Sequence, residues 1–187
     1  MKKTNKEFEN LIHDITNTEV YNVMKRYRHH LKGSVYDHSV KVAYLCYKHY
    51  QRFGTKVAPE ELLRGALLHD FYLYDRKNKA MSPRLHVLRH PRYALANAKE
   101  YYTGLTRIEQ DMILHHMFPL TISPPRTRAG WLICFYDKVA AVTDVFGRNK
   151  WKHRQSALPP AQSDKVFLPA LLPPAKKNRS GKKRGHV

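Results

Sequence analysis

Apolar residues recur along this chain at helical spacing. Leu11, Ile12 and Ile15 stripe a first short helix, and Val20, Val23, Met24 and Tyr27 a second. Val35, Val42, Leu45 and Cys46 mark a third, which Ser34 can cap and which runs to about Phe53 before Gly54. Pro59 is well placed as the first residue of a fourth, with Glu60 and Glu61 in its first turn, where the helix dipole favours negative charge. Pro91 starts a fifth in the same way. Thr106 and Glu109 form a capping box for a sixth, and a seventh runs from about Ala129 to Phe146. The alternation of a half-buried strand never lasts more than four residues. The pattern predicts an all-α bundle.

Composition sets the bounds of that bundle. Of 187 residues 42% are hydrophobic, enough for a globular core, and 34 Lys and Arg against 15 acids give a net charge of +19. The last 37 residues hold nine cations, one acid (Asp164) and five of the eleven prolines, and end in KKNRSGKKRGHV. Such a segment builds little core, so the expected organisation is a domain over 1–150 and a flexible basic tail over 151–187. The tail suits non-specific contact with RNA or another polyanion; a purely solubilising extension explains it equally well. No segment reaches the roughly 18 uncharged apolar residues of a membrane span. The start, MKKTNKEFEN, has no apolar run behind its lysines, and Cys46 and Cys134 stand far from any CxxC motif. Together these predict a cytoplasmic protein with reduced cysteines in its core.

The polar residues on apolar helix faces carry the chemistry. His38 lies on the stripe of the third helix, and His69 and Asp70 continue that of the fourth beyond Leu62, Leu63, Ala66 and Leu67. In the sixth, His115 and His116 follow Ile108 and Met112; in the seventh, Ile133, Ala140 and Ala141 flank Asp137. His90, just before Pro91, is in line with Ala94 and Ala98. A buried carboxylate without a partner costs several kcal/mol, and neither Asp70 nor Asp137 has a lysine on its own face. A divalent cation is the simplest common solution, and a His/Asp set suits iron, manganese, nickel or zinc. A single such histidine is ordinarily a hydrogen-bonded core residue; recurrence in five helices is what points to convergence. His29-His30, at the end of an amphipathic helix, complements the dipole there and stays outside the set.

His38, then His69-Asp70 in GALLHDFYLYD, then Asp137 in FYDKVAAVTD, resembles the H…HD…D signature of the HD superfamily of metal-dependent phosphohydrolases. DHSVKVAYLCYK, RLHVLRHPRYALANA and LHHMFPLT also look like a bacterial branch described as HD-domain hydrolases. The resemblance covers about residues 28–147. It implies that His38, His69, Asp70 and Asp137 hold one metal, with Asp70 bridging. His90 and the His115-His116 pair match positions where binuclear members bind a second ion, and of the pair His116 is the better ligand. No GYP motif follows the pair, so hydrolysis of cyclic di-GMP is not implied.

The implied activity is hydrolysis of a phosphate ester or phosphoanhydride by metal-activated water. Asp70 would serve at the metals and Lys138, Arg84, Arg89 and Arg92 as cations for the phosphoryl oxygens. Lys138 can also point away from its neighbour Asp137, and the arginines can be plain solvated charge. His86 is a candidate proton donor to the leaving group, and Asp75 a candidate base or a turn residue. Tyr74, with Phe71 and Tyr72, can stack on a base, favouring a nucleotide, or simply pack the helix end. The LTIS segment between Pro119 and Pro124 can wall the pocket. The competing expectation is a polyanion- or nucleotide-binding module whose metal site is structural or vestigial.

Overall fold

The computed structural model describes residues 2–29, 33–76 and 85–145, and among these the chain is helical. The elements are α1 (Lys2–Thr16), α2 (Glu19–Asn22), a 3-10 turn (Val23–Arg26), α3 (Val35–Phe53), α4 (Pro59–Leu68), α5 (His86–Tyr101), α6 (Arg107–His115) and α7 (Arg128–Val145). No strand occurs among the described residues; Arg28 and Ser34 form one isolated bridge. The expected caps are present. Ser34 accepts from the Asp37 amide while Asp37 returns the bond, and Thr106 and Glu109 do the same for α6. Gly54, at φ 70°, ends α3 in the left-handed region that favours glycine.

Two boundaries differ from the sequence reading. The second helix breaks into α2 and the 3-10 turn, because the chain must reverse before α3. The fifth starts at His86, five residues before Pro91, with Leu85 in the left-handed region ahead of it. Pro91 lies inside the second turn, where it lacks the amide that would bond the Val87 carbonyl. The extra turn puts His86 and His90, four residues apart, on one face, with ring centroids 5.0 Å apart.

The helices α3, α4, α6 and α7 pack around one core, with α1 against α4 and α5 against α6. Leu62, Leu63, Leu67, Leu68, Met24, Tyr21 and Tyr47 are fully buried, each such side chain contributing roughly 1.5–3 kcal/mol of hydrophobic burial. Gly65 lets α4 and α6 approach closely: a Cβ there would meet Met112 Sδ at 2.7 Å. Cys46 and Cys134 are buried and unpaired, as expected. No helix among the described residues is long and apolar enough to cross a membrane. The 151–187 segment and Arg84 lie outside the described residues.

Candidate metal centre

The site is built on the end of α4. The Leu68 carbonyl accepts from the Phe71 amide (3.2 Å), and the Leu67 carbonyl from the Tyr21 hydroxyl (3.1 Å). Asn97, wholly buried, donates to the Phe71 carbonyl at 2.8 Å. With the carbonyls of a helix end otherwise orphaned, these bonds pin the turn that carries His69 and Asp70.

Around that turn two groups of ligand atoms converge. His38, His69 and Asp70 offer atoms that all lie within 4.8 Å of one another, and Asp70, His90 and His116 form a second such group. Asp137 Oδ1 joins the first, 2.9 Å from His38 Nε2 and 3.7 Å from His69 Nε2. Asp70 divides its oxygens: Oδ1 faces His90 Nε2 (3.1 Å) and His116 Nε2 (3.5 Å), Oδ2 faces His69 Nε2 (3.7 Å). One carboxylate therefore belongs to both groups.

The far nitrogen of each ring is engaged. His69 Nδ1 bonds the Ala66 carbonyl (2.7 Å), His90 Nδ1 the His86 carbonyl (3.2 Å) and His116 Nδ1 the Ile113 carbonyl (2.8 Å). A carbonyl only accepts, so each Nδ1 carries a proton and each Nε2 is the nitrogen turned inward, free to ligate. His38 Nδ1 instead meets Asp144 Oδ2 at 3.4 Å. Asp144 is paired with Lys41, whose ammonium also donates to Thr143 Oγ1 (2.8 Å) and the Ala140 carbonyl (3.3 Å).

The residues fit a divalent cation. His69 Nε2 and Asp70 Oδ1 are buried without a hydrogen-bond partner, a cost that native interiors avoid unless something else satisfies them. His90 Nε2 and His116 Nε2 stand 2.9 Å apart, where two lone pairs repel unless a cation or a proton lies between them. Burial alone would raise the Asp70 and Asp137 carboxyls, but the surrounding imidazoles hold both well below the usual range. Burial keeps the His116 ring below its ordinary value, in the neutral form that ligates. His38 goes the other way: despite burial, hydrogen bonds to Asp137 and Asp144 raise it to about 9.

The remaining sequence candidates fall into place or out of it. His115 does not join either group: its Nδ1 bonds Asp111 Oδ1 at 2.8 Å, and Asp111 also accepts from the Arg126 and Thr127 amides and the Thr127 hydroxyl. Adjacent residues on a helix diverge by about 100°, so only one of the pair can face the centre. Tyr74 is fully buried and its hydroxyl shares a hydrogen bond with His86 Nδ1 (2.8 Å); it packs on Tyr72 and Tyr93 and presents no face to a base. Phe71 is likewise enclosed, by Tyr21, Tyr101 and Tyr102. Lys138 lines the cavity, but its three protons go to the His116 carbonyl (3.0 Å), the Cys134 carbonyl (3.0 Å) and Cys134 Sγ (3.3 Å). It braces the end of α6 and is not a free cation for phosphate. Arg89 and Arg92 are exposed, and neither they nor Asp75 line the cavity.

A cavity of about 290 Å³ opens beside the two groups. His86 lines it, pushed down to about 4 by burial and so neutral, as do Tyr72, Arg76, Val87 and Leu120. Leu120 belongs to the LTIS segment expected as a wall. Four participants were not foreseen. His29 Nε2 lies 3.3 Å from Asp70 Oδ2, its ring stacked on His38 at 3.8 Å. The dipole argument placed His29 at a helix end, but the helical turn stops at Arg26 and His29 lies beyond it, with its ring at Asp70. Lys41 and Asp144 lie three and seven residues beyond His38 and Asp137, near helical repeats that could have marked them. Arg76 follows the HD turn in a polar run with no periodicity to place it.

A family model, the HD domain, matches residues 35–146, more than half of the chain. Comparison with curated proteins and with solved structures gives no match. The matched span contains His38, His69, Asp70, His90, His116 and Asp137, which converge at the His-Asp turn, as well as Asp144, and leaves out His29. The all-α architecture, the His-Asp turn and the family match agree, and the chain belongs to the HD-domain family of metal-dependent phosphohydrolases.

Proposed function

We propose that this chain hydrolyses a phosphate ester or phosphoanhydride of a small, nucleotide-type substrate with two divalent transition-metal ions. His38, His69, Asp70 and Asp137 would hold one ion, and Asp70, His90 and His116 the other. Iron, manganese, nickel and zinc all suit the donor set. Such ions activate water and neutralise phosphoryl charge. The observation that carries the reading is the double group sharing Asp70, with His69 Nε2 and Asp70 Oδ1 buried and unpartnered.

The chain's own residues do the rest. Arg76, which lines the cavity, would face the phosphoryl group. The Tyr72 hydroxyl is buried without a partner on the cavity wall, so it is positioned to donate to a substrate oxygen. His86, a neutral ring bonded to the Tyr74 hydroxyl through Nδ1, would turn Nε2 to the leaving group. Val87 and Leu120 supply an apolar wall for the organic part, and the small volume favours a nucleoside phosphate over a polymer.

The test is metal analysis by plasma mass spectrometry on chain purified without a metal-affinity tag, wild type beside Asp70→Ala. Phosphate release from nucleotides and dinucleoside polyphosphates is measured on the same samples. About two ions per wild-type chain, lost in the variant together with hydrolysis, is the expected result. A folded wild-type chain that takes up no metal after reconstitution with manganese and iron would overturn the proposal. Metal without hydrolysis would leave a binding module.

A further inference from the structure

Two adjoining grooves at the C-terminal end of α3 share His49 and Phe53 and none of the residues of the metal cavity. One, about 550 Å³, runs between that end and the start of α7 and includes Lys56, Arg128 and Leu132; the other, about 760 Å³, includes Lys48, Arg52 and Tyr136. Phe53 is fifteen residues from His38 along α3, about 22 Å at 1.5 Å per residue. The lining of the two grooves includes four cations, all exposed, and no carboxylate. A surface with that balance selects anions.

It is also aromatic, which plain charge does not explain. Ring contacts run Phe53 to His49 (4.9 Å), His49 to Tyr136 (5.8 Å) and Tyr136 to Phe135 (5.1 Å). The two ends of this strip are open to solvent, Phe53 at 67% and Phe135 at 60% exposure. Hydrophobic rings do not stay so exposed for core packing, and the Arg52 guanidinium, 5.3 Å from the Phe53 centroid, places charge directly beside a ring. Cations that track a phosphate backbone, interleaved with rings on which bases stack, are the two parts of a single-strand binding surface. An acidic peptide would use the charge and leave the rings idle.

We propose that the α3–α7 end binds single-stranded nucleic acid, with Phe53 and Phe135 as stacking platforms and Lys48, Arg52, Lys56 and Arg128 on the phosphates. The site is separate from the metal centre and does not depend on the hydrolase reading.

The experiment is fluorescence anisotropy of the full chain with labelled oligouridylate and oligodeoxythymidylate, which separate RNA from DNA, and with heparin, which has charge but no bases. The variant Phe53→Ala/Phe135→Ala keeps every charge, including those of residues 151–187. It is expected to bind at least one of the oligonucleotides about fivefold or more weakly, with heparin binding and phosphate release unchanged. Unchanged affinity for both oligonucleotides, or an equal loss on heparin, would overturn the proposal. Should that variant fail to fold by circular dichroism, Arg52→Gln/Lys56→Gln reads the same site. Losing two phosphate contacts lowers the slope of log K against log salt by about 1.4, and an unchanged slope refutes the site.

Discussion

Asp144→Asn isolates His38, whose outer nitrogen, unlike those of His69, His90 and His116, meets a side chain instead of a backbone carbonyl. The Asp144 carboxylate stands between Lys41 and His38 Nδ1, and both acid and lysine are more than nine-tenths buried. The asparagine keeps the shape and one acceptor but loses the charge. Removing one member of a buried ion pair outright costs about 3–5 kcal/mol. Here Lys41 retains Thr143 Oγ1 and the Ala140 carbonyl. The expected loss is therefore smaller, about 2 kcal/mol, close to one hydrogen bond to a charged group. The second effect is specific to the site. Without a carboxylate to fix its tautomer, His38 presents Nε2 less reliably, and groups in that position typically change metal affinity or activity by about 10–100-fold. Thermal melts of the metal-free chain read the first effect and chelator competition the second. Lys41→Met is the control, because it breaks the same pair yet leaves Asp144 on His38: it should destabilise and nearly retain metal affinity. If Asp144→Asn binds metal as tightly as wild type while losing stability, Asp144 is only a partner for Lys41 and the orienting role is wrong.

Tyr72→Phe removes the unpartnered hydroxyl from the cavity wall, so kcat should fall about tenfold or more with metal content and Tm retained or improved; a variant of normal kcat excludes contact with the reacting group. His115→Ala should keep its metal and lose about 1–2 kcal/mol as Asp111 gives up one donor, whereas His116→Ala should lose metal, as plasma mass spectrometry of the two would show. The metal-free chain should lose stability with rising pH: a histidine raised from 6.5 to about 9 stabilises fully below 6.5, and that contribution, on the order of 3 kcal/mol, disappears as pH passes through 9. Urea melts at pH 6, 7.5 and 9 on chelator-treated protein measure it; stability flat or rising across that window would contradict the His38 assignment.

The sequence carried the helices because their ends are written locally. Ser34 with Asp37, Thr106 with Glu109, Pro59 and Gly54 each act within a turn of themselves. The convergence of polar side chains was legible for a related reason: a titratable residue on an apolar face is visible from periodicity alone, as His38, Asp70 and Asp137 were. What periodicity does not encode is which partner a side chain meets across the bundle. Lys138 reads as a phosphate cation until α6 ends beside it with an unpaired carbonyl at His116. Tyr74 reads as a stacking ring until α5 begins a turn early and encloses it with His86 and Tyr93. His29 is the converse case, a residue that reads as an ordinary helix-end histidine and instead lies beyond the 3-10 turn, with its ring at Asp70.

The two aspartates and the tautomers together say why this centre is built to hold cations, not merely to tolerate polar residues. Asp70 and Asp137 remain ionised although buried, so the interior carries negative charge that must be balanced. In the metal-free chain at neutral pH, a protonated His38 between Asp137 and Asp144 supplies part of that balance. The backbone bonds at His69, His90 and His116 occupy Nδ1 of each ring and leave Nε2 as the inward nitrogen that can ligate. A divalent ion held here would resolve both conditions: it would satisfy the inward nitrogens, neutralise the carboxylates and take the place of the His38 proton. Binding should therefore release a proton and tighten as pH rises toward 9, the same window in which the empty fold weakens. Metal present at a thousand times its dissociation constant would add about 4 kcal/mol of stability, enough to offset that loss.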